Sequence, residues 1–337
     1  MKYVVCEKPG NFVLNEKEVP KRKGNEALLR IKNVGICGTD IHAYGGNQAF
    51  FTYPRILGHE LCAEVVEVDN NTDTIKVGDR VAIMPYLSCG TCIACTHGKT
   101  NCCSNIKVIG VHTDGGMQEL ISLPTNVLIP VNHLTEDETV IIEPLAIAAH
   151  AIRRASLKKG ETIVVMGCGP IGIALMAQAR IIGARVIAID IDNKRLKYAM
   201  DNMGADHIIN TVEENAEERV MELTNGNLCE VVFDATGAKR ALEEGPKYMC
   251  HGGRYVLVGL SKGDLVYNHP QIHAKETTLL CSRNATYKDF EHVIQMIKSF
   301  PTDKYITHRM KFSELPEIFD DFIGSDDLAV KAVVDIG

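Results

Sequence analysis

The strongest constraint on this chain is a short glycine-rich turn set between a strand and a helix. Residues 161–259 alternate between β-type runs (ETIVVMG, RVIAID, DHIIN, EVVFDA, RYVLVG) and amphipathic segments of helical length (IGIALMAQARIIGA, NKRLKYAMDNMGA, KRALEEGPKYMC). Such alternation builds a parallel sheet with helices on both faces, a doubly wound α/β domain. Its first crossover carries GCGPIG directly after the strand and at the opening of the helix. Gly167 permits the tight turn, Gly169 lets the backbone approach a pyrophosphate, and Gly172 lets helix and strand pack closely. The helix N-terminus favours the anion. Asp190 ends the next strand. A carboxylate there accepts hydrogen bonds from a ribose 2′-hydroxyl and repels a 2′-phosphate, so the sequence predicts NAD rather than NADP. Arg195 reads equally as a lid on the adenine or as a solvated helix cation.

A second constraint is the cysteine usage. Of twelve cysteines, five fall between Cys89 and Cys103. A disulfide framework belongs to short secreted chains, whereas a cluster in a chain of 337 residues reads as metal binding. Cys89, Cys92 and Cys95 are spaced C-x2-C-x2-C, and Cys103 follows after seven residues. Four thiolates complete a tetrahedron and leave no position for chemistry, which predicts a structural zinc. An iron–sulfur cluster is the competing reading, but the seven-residue gap does not match ferredoxin spacings. Cys102 reads as a spectator.

A different donor set lies nearer the N-terminus. GICGTDIH supplies Cys37, Thr39, Asp40 and His42, LGHE supplies His59 and Glu60, and IIEPLA supplies Glu143. Taken singly, a cysteine beside glycine is core and a lone histidine is structural. Together they offer a thiolate, an imidazole and carboxylates, a set suited to zinc with one position left open. An open zinc beside a nicotinamide points to one reaction, hydride removal from an alcohol whose pKa the metal lowers. Thr39 followed by His42 offers the proton a path to solvent.

The flanking stretches are β-rich at the start, as in EALLRIKNVG and ELCAEVVEVD, with a capping box from Thr135 to Glu138 opening a helix through residue 155. The C-terminal part returns to mixed α and β. The formal net charge of -7 gives no footprint for nucleic acid or an anionic membrane. No 18-residue apolar run is present, and MKYVVCEKPG has no signal-peptide core, so a cytoplasmic, soluble protein acting on a small molecule is expected.

These motifs, in this order, resemble the zinc-containing medium-chain alcohol dehydrogenases over essentially the whole length. The resemblance implies a GroES-like β-rich catalytic domain with the structural zinc lobe (residues 1–146) and a doubly wound Rossmann NAD-binding domain (147–280). Residues 281–337 would then return to the catalytic domain. It implies catalytic zinc on Cys37 and His59 with Glu60 and Glu143 as carboxylate partners, and a proton relay through Thr39 and His42. Ile171, Asp190, Arg195, Val258, Gly259, Leu260, Ser282 and Arg283 would line the cofactor. A homodimer or homotetramer is expected by the same analogy. Glu143, where ethanol-type enzymes commonly carry cysteine, resembles the sorbitol and threonine dehydrogenase branch. It leaves open which of Glu60 and Glu143 touches the metal. GTDIHAYGGNQAFF, YPRILGHE, GKTNCC, VIGVHTDGG and SRNAT resemble a branch acting on a sugar acid. Such a substrate asks for a cation, from Arg283, His112 or Arg55, with Asn47 and Gln48 as hydroxyl partners. A neutral polyol or L-threonine is the alternative substrate, and a non-catalytic descendant of the fold is disfavoured by the intact motifs.

Overall fold

The computed structural model describes residues 1–48, 51–69 and 74–337, so Ala49 and Phe50 of the GTDIHAYGGNQAFF stretch lie outside the described residues. Two compact units emerge. The first comprises Met1–Glu143, Thr286–Ile294 and Ile306–Gly337, and the second Pro144–Ala285 and Gln295–Tyr305.

The first unit is built on a sheet whose strands run in the order Ile306–Lys311, Lys331–Asp335, Glu26–Ile36, Glu60–Glu67, Arg80–Ile83 and Leu128–Pro130. Its pairings are antiparallel except the one between Ile306–Lys311 and Lys331–Asp335. Leu29, Ile31, Val34, Val65, Val81 and Ile83 turn into one apolar core, as the β-branched and leucine content of these runs demands. The register sets Gly35 opposite Glu60 on one side and Val333 on the other, with Ala332 facing Ile36.

The second unit contains a six-stranded parallel sheet. Its order is His207–Asn210, Arg185–Asp190, Thr162–Met166, Cys229–Asp234, Met249–Leu257 and Thr278–Cys281. Numbered along this stretch of chain, that is 3-2-1-4-5-6, the doubly wound order whose reversal lies between the first and fourth strands. Val164, Met166, Ile187, Ile209, Val232 and Tyr255 fill the core beneath it.

Two predicted helices are interrupted, each at a proline. Thr135 caps a helix as expected, its hydroxyl accepting from the Glu138 N–H at 3.1 Å. That helix spans only Glu136–Val140, and a second one, Ile142–Ala155, follows. Pro144 has no N–H to offer the Val140 carbonyl, and its ring would clash there, so the turn between them resets. KRALEEGPKYMC is likewise a helix only over Lys239–Glu244. A 3-10 turn at Gly245–Tyr248 then leads straight into a strand beginning at Met249. The chain bends around Tyr255, whose ring atoms would lie 2.3 Å from a Cβ at Gly245. No helix among the described residues is long and apolar enough to cross a membrane.

Candidate metal centres and dinucleotide site

The long strand Glu26–Ile36 delivers the chain to Cys37, which opens the short helix Gly38–Tyr44. The Cys37 N–H donates to the Asp40 carboxylate at 2.9 Å. Asp40 is buried, and its other oxygen accepts the Gly58 N–H at 3.2 Å and lies 3.8 Å from His59 Nδ1. Gly58 adopts φ +92, and a Cβ there would meet Val34 Cγ1 at 2.6 Å, so only glycine makes the turn that aims His59 inward. Ligand atoms of Cys37, His59 and Glu60 all lie within 4.8 Å of one another.

This donor set suits a divalent cation. His59 is buried, and its Nδ1 has no hydrogen-bond partner at normal distance. A carboxylate behind one imidazole nitrogen is the usual way a metal-binding histidine is oriented, which leaves Nε2 as the donor. Burial disfavours the imidazolium, yet Asp40 and Cys37 outweigh it and hold the ring well above its ordinary range. The surroundings of His59 thus favour positive charge.

Glu143 stands beside this group rather than within it. It is buried in the first turn of Ile142–Ala155, and its carboxylate accepts a hydrogen bond from the Tyr86 hydroxyl. Burial pushes it up to about 7, with Glu60 adding to the rise and His59 and Tyr86 opposing it. Glu60 is held by Lys331, whose Nζ donates to its two oxygens at 2.6 and 2.7 Å. Tyr86 and Lys331 are invisible to motif reading because neither belongs to a local pattern. Thr39 is half-buried and His42 exposed, three residues apart on one helix.

In the cysteine lobe, the Sγ atoms of Cys89, Cys92, Cys95 and Cys103 converge within 4.8 Å, and Cys102 is outside the group. The Cys92 N–H donates to Cys89 Sγ at 3.4 Å, and the N–H groups of Cys89 and Asn105 each donate to Cys103 Sγ at 3.3 Å. Backbone donors at Thr91 lower the Cys89 thiol to about 7, and those at Cys95 lower Cys92 to about 5. Desolvation, followed by the Cys92 thiol beside it, raises Cys95 to about 11. Thiolates so stabilised are ready metal donors.

The glycine-rich turn lies at the carboxyl ends of the parallel strands, where open α/β sheets bind ligands. A Cβ on Gly172 would sit 1.8 Å from the Gly167 carbonyl oxygen, so glycine alone allows that approach. A Cβ on Gly169 would meet nothing within 4 Å. The helix Pro170–Ile182 behind it has no side-chain cap, and its first N–H groups face this open cradle. Both features fit a pyrophosphate. Asp190 accepts from the N–H groups of Cys168 at 2.6 Å and Ile191 at 2.7 Å, which fixes the carboxylate at the turn. Ile171 is half-buried on the first turn of the helix. Arg195 Nε stands 3.8 Å from Asp192, the cap of its own helix. Val258, Gly259 and Leu260 follow the strand Met249–Leu257, and Ser282 and Arg283 follow Thr278–Cys281, at the same edge of the sheet. Leu260 is 86% exposed, and the Ser282 hydroxyl is buried without a partner.

Residues 23–133 match the alcohol dehydrogenase GroES-like domain, and residues 170–299 match the zinc-binding dehydrogenase family. The chain is 41% identical to L-galactonate-5-dehydrogenase of Escherichia coli K12 over 99% of its own length and 98% of that protein. It belongs to the zinc-type medium-chain alcohol dehydrogenases. Sorbitol dehydrogenase of Bacillus subtilis is 34% identical, covering 82% of this chain and 80% of that one. A solved alcohol dehydrogenase from Escherichia coli CFT073, complexed with NADH, superposes with TM-score 0.93 at 30% identity. It covers 100% of this chain and 99% of that one. The protein is therefore a zinc-dependent oxidoreductase of alcohols or polyols.

Of the side chains that could meet this dehydrogenase's substrate, Arg55 is engaged, one guanidinium nitrogen at 3.4 Å from Asp114 and the other at 3.0 Å from Thr52. His112 Nδ1 accepts the Val108 N–H at 3.0 Å. Asn47 is exposed and Gln48 half-buried after the Gly38–Tyr44 helix, and Arg283 is exposed.

Proposed function

We propose that this dehydrogenase oxidises a secondary hydroxyl of a sugar acid with NAD, taking L-galactonate at C5 to D-tagaturonate. Cys37, His59 and Glu60 would hold the catalytic zinc, with Glu143 beside them, and Cys89, Cys92, Cys95 and Cys103 would hold a structural zinc. When bound, zinc supplies a Lewis acid that lowers the pKa of the alcohol, and NAD supplies the hydride acceptor. The observation that carries the reading is the convergence of a thiol, an imidazole and a carboxylate within 4.8 Å, distinct from the four-cysteine lobe. Three donors leave a position for substrate, whereas four thiolates do not.

The chain's own groups account for the remaining steps. Asp40 orients His59, and the Cys37 thiolate offsets the metal's charge. Thr39 accepts the proton of the substrate hydroxyl, and His42, exposed on the same helix, passes it to water. The open cradle at Gly169 receives the pyrophosphate, and Asp190 selects a free ribose hydroxyl over a phosphate.

Support for the sugar acid comes from the galactonate-oxidising relative at 41% identity. A neutral polyol is the second reading, favoured by the Arg55–Asp114 pair, which occupies one of the cations a carboxylate would need. L-Threonine would need an acidic partner for its amine as well. NADH formation measured with L-galactonate, sorbitol and L-threonine, with and without a zinc chelator, tests the proposal. Chelator-sensitive activity greatest on L-galactonate is expected. Greatest activity on sorbitol would move the substrate to the polyols, and silence with all three in zinc-loaded protein would overturn the reading.

A further inference from the structure

Lys331 stands out among the charged residues. It lies at the start of the last strand, and both it and Glu60 are 1% exposed. Its Nζ donates to Glu60 Oε1 at 2.6 Å, to Glu60 Oε2 at 2.7 Å and to the Ile36 carbonyl at 3.0 Å. An ammonium has three protons, and all three are placed. The Glu60 carboxylate is confined from the other side by the sheet itself, since a Cβ on Gly35 would lie 2.0 Å from Oε2. The same carboxylate has an oxygen within 4.8 Å of the Cys37 and His59 donors.

A carboxylate in this position has two cations to choose between. Bound to an ammonium through both oxygens, it is a weaker donor to a metal than a bare carboxylate would be. Buried and without the ammonium, it would have only the metal to neutralise it, because an unpaired charge is too costly to leave in the core. We propose that Lys331 is a positioning residue that divides Glu60 between itself and the catalytic metal, keeping one coordination position exchangeable for substrate. The inference rests on the proposed catalytic metal and adds to it a residue 271 positions away in sequence from the ligand it governs. Glu60 swings toward the metal when the fourth position is vacant and back to Lys331 when substrate occupies it. Lys331 touches neither substrate nor cofactor.

Two variants test this, Lys331→Gln and Lys331→Arg, each loaded with cobalt(II) in place of zinc. Subtracting the visible spectrum of Cys37→Ala removes the contribution of the cysteine lobe. Gln keeps a donor but loses the charge, so Glu60 should settle on the metal. The cobalt bands should weaken toward those of a higher coordination number, and chelator should remove the ion at least about tenfold more slowly, a typical size for a residue supporting a ligand. kcat should fall by a similar factor. Arg restores the charge and should return the wild-type spectrum, release rate and turnover. Unchanged bands and release in Lys331→Gln, with only its melting temperature lowered, would overturn the inference, and so would faster metal loss. If the glutamine variant does not fold, an altered cobalt spectrum in folded Lys331→Arg overturns it equally. Should Cys37→Ala subtract nothing, the metal assignment itself fails, which separates that failure from this one.

Discussion

At Asp190 a single carboxylate does two jobs. It accepts N–H groups from Cys168, Ile191 and Asp192, which ties the glycine-rich turn to the end of the second strand. It also sets a negative charge where a 2′-phosphate would have to sit. Replacing it with serine should shift the ratio of kcat/KM for NAD over NADP by roughly a hundredfold toward NADP, the scale of a removed like-charge clash. Steady-state rates with both cofactors check this, and an unchanged ratio would mean that Asp190 only braces the turn. Residues of this kind are legible in the sequence because their chemistry is local. Gly167, Gly169 and Gly172 announce themselves by spacing, and Cys89, Cys92, Cys95 and Cys103 by residue type.

The elements are legible for a related reason. Alternating strand and helix runs from Glu161 onward predict a parallel sheet, and the order 3-2-1-4-5-6 follows that pattern. Periodicity misses the interruptions at Pro144 and Pro246, where an apolar rhythm continues while the backbone hydrogen bonds do not. The packing of helix on strand also has a single-residue dependence. Gly172→Ala would drive a Cβ to 1.8 Å from the Gly167 oxygen. The cost should be about 1–3 kcal/mol of stability, as for other overpacked sites, with weakened NAD binding. Thermal unfolding and calorimetric titration of NAD read the two effects. Retention of both would show that the helix can shift at no cost.

Across the whole molecule, sequence distance hides most of the metal surroundings. Lys331 reaches Glu60 across 271 residues, and Tyr86 reaches Glu143 across 57. No motif links these pairs, since only the folded first unit, assembled from both ends of the chain, brings them together. Ligand types are therefore readable in advance, while the groups that set their charge and orientation are not. The two donor clusters are separate in chemistry as well as in place, one closed by four thiols and one left open. They should therefore be separable by mutation. The most direct measurement is zinc content together with NADH formation in wild type and Cys37→Ala. Two zinc ions per chain are expected in the wild type and one in the variant, matching the two clusters. The variant should keep its fold and lose at least about a thousandfold in turnover, several kcal/mol of lost metal assistance. Two zinc ions and undiminished turnover in Cys37→Ala would contradict the assignment of the open cluster as the catalytic centre.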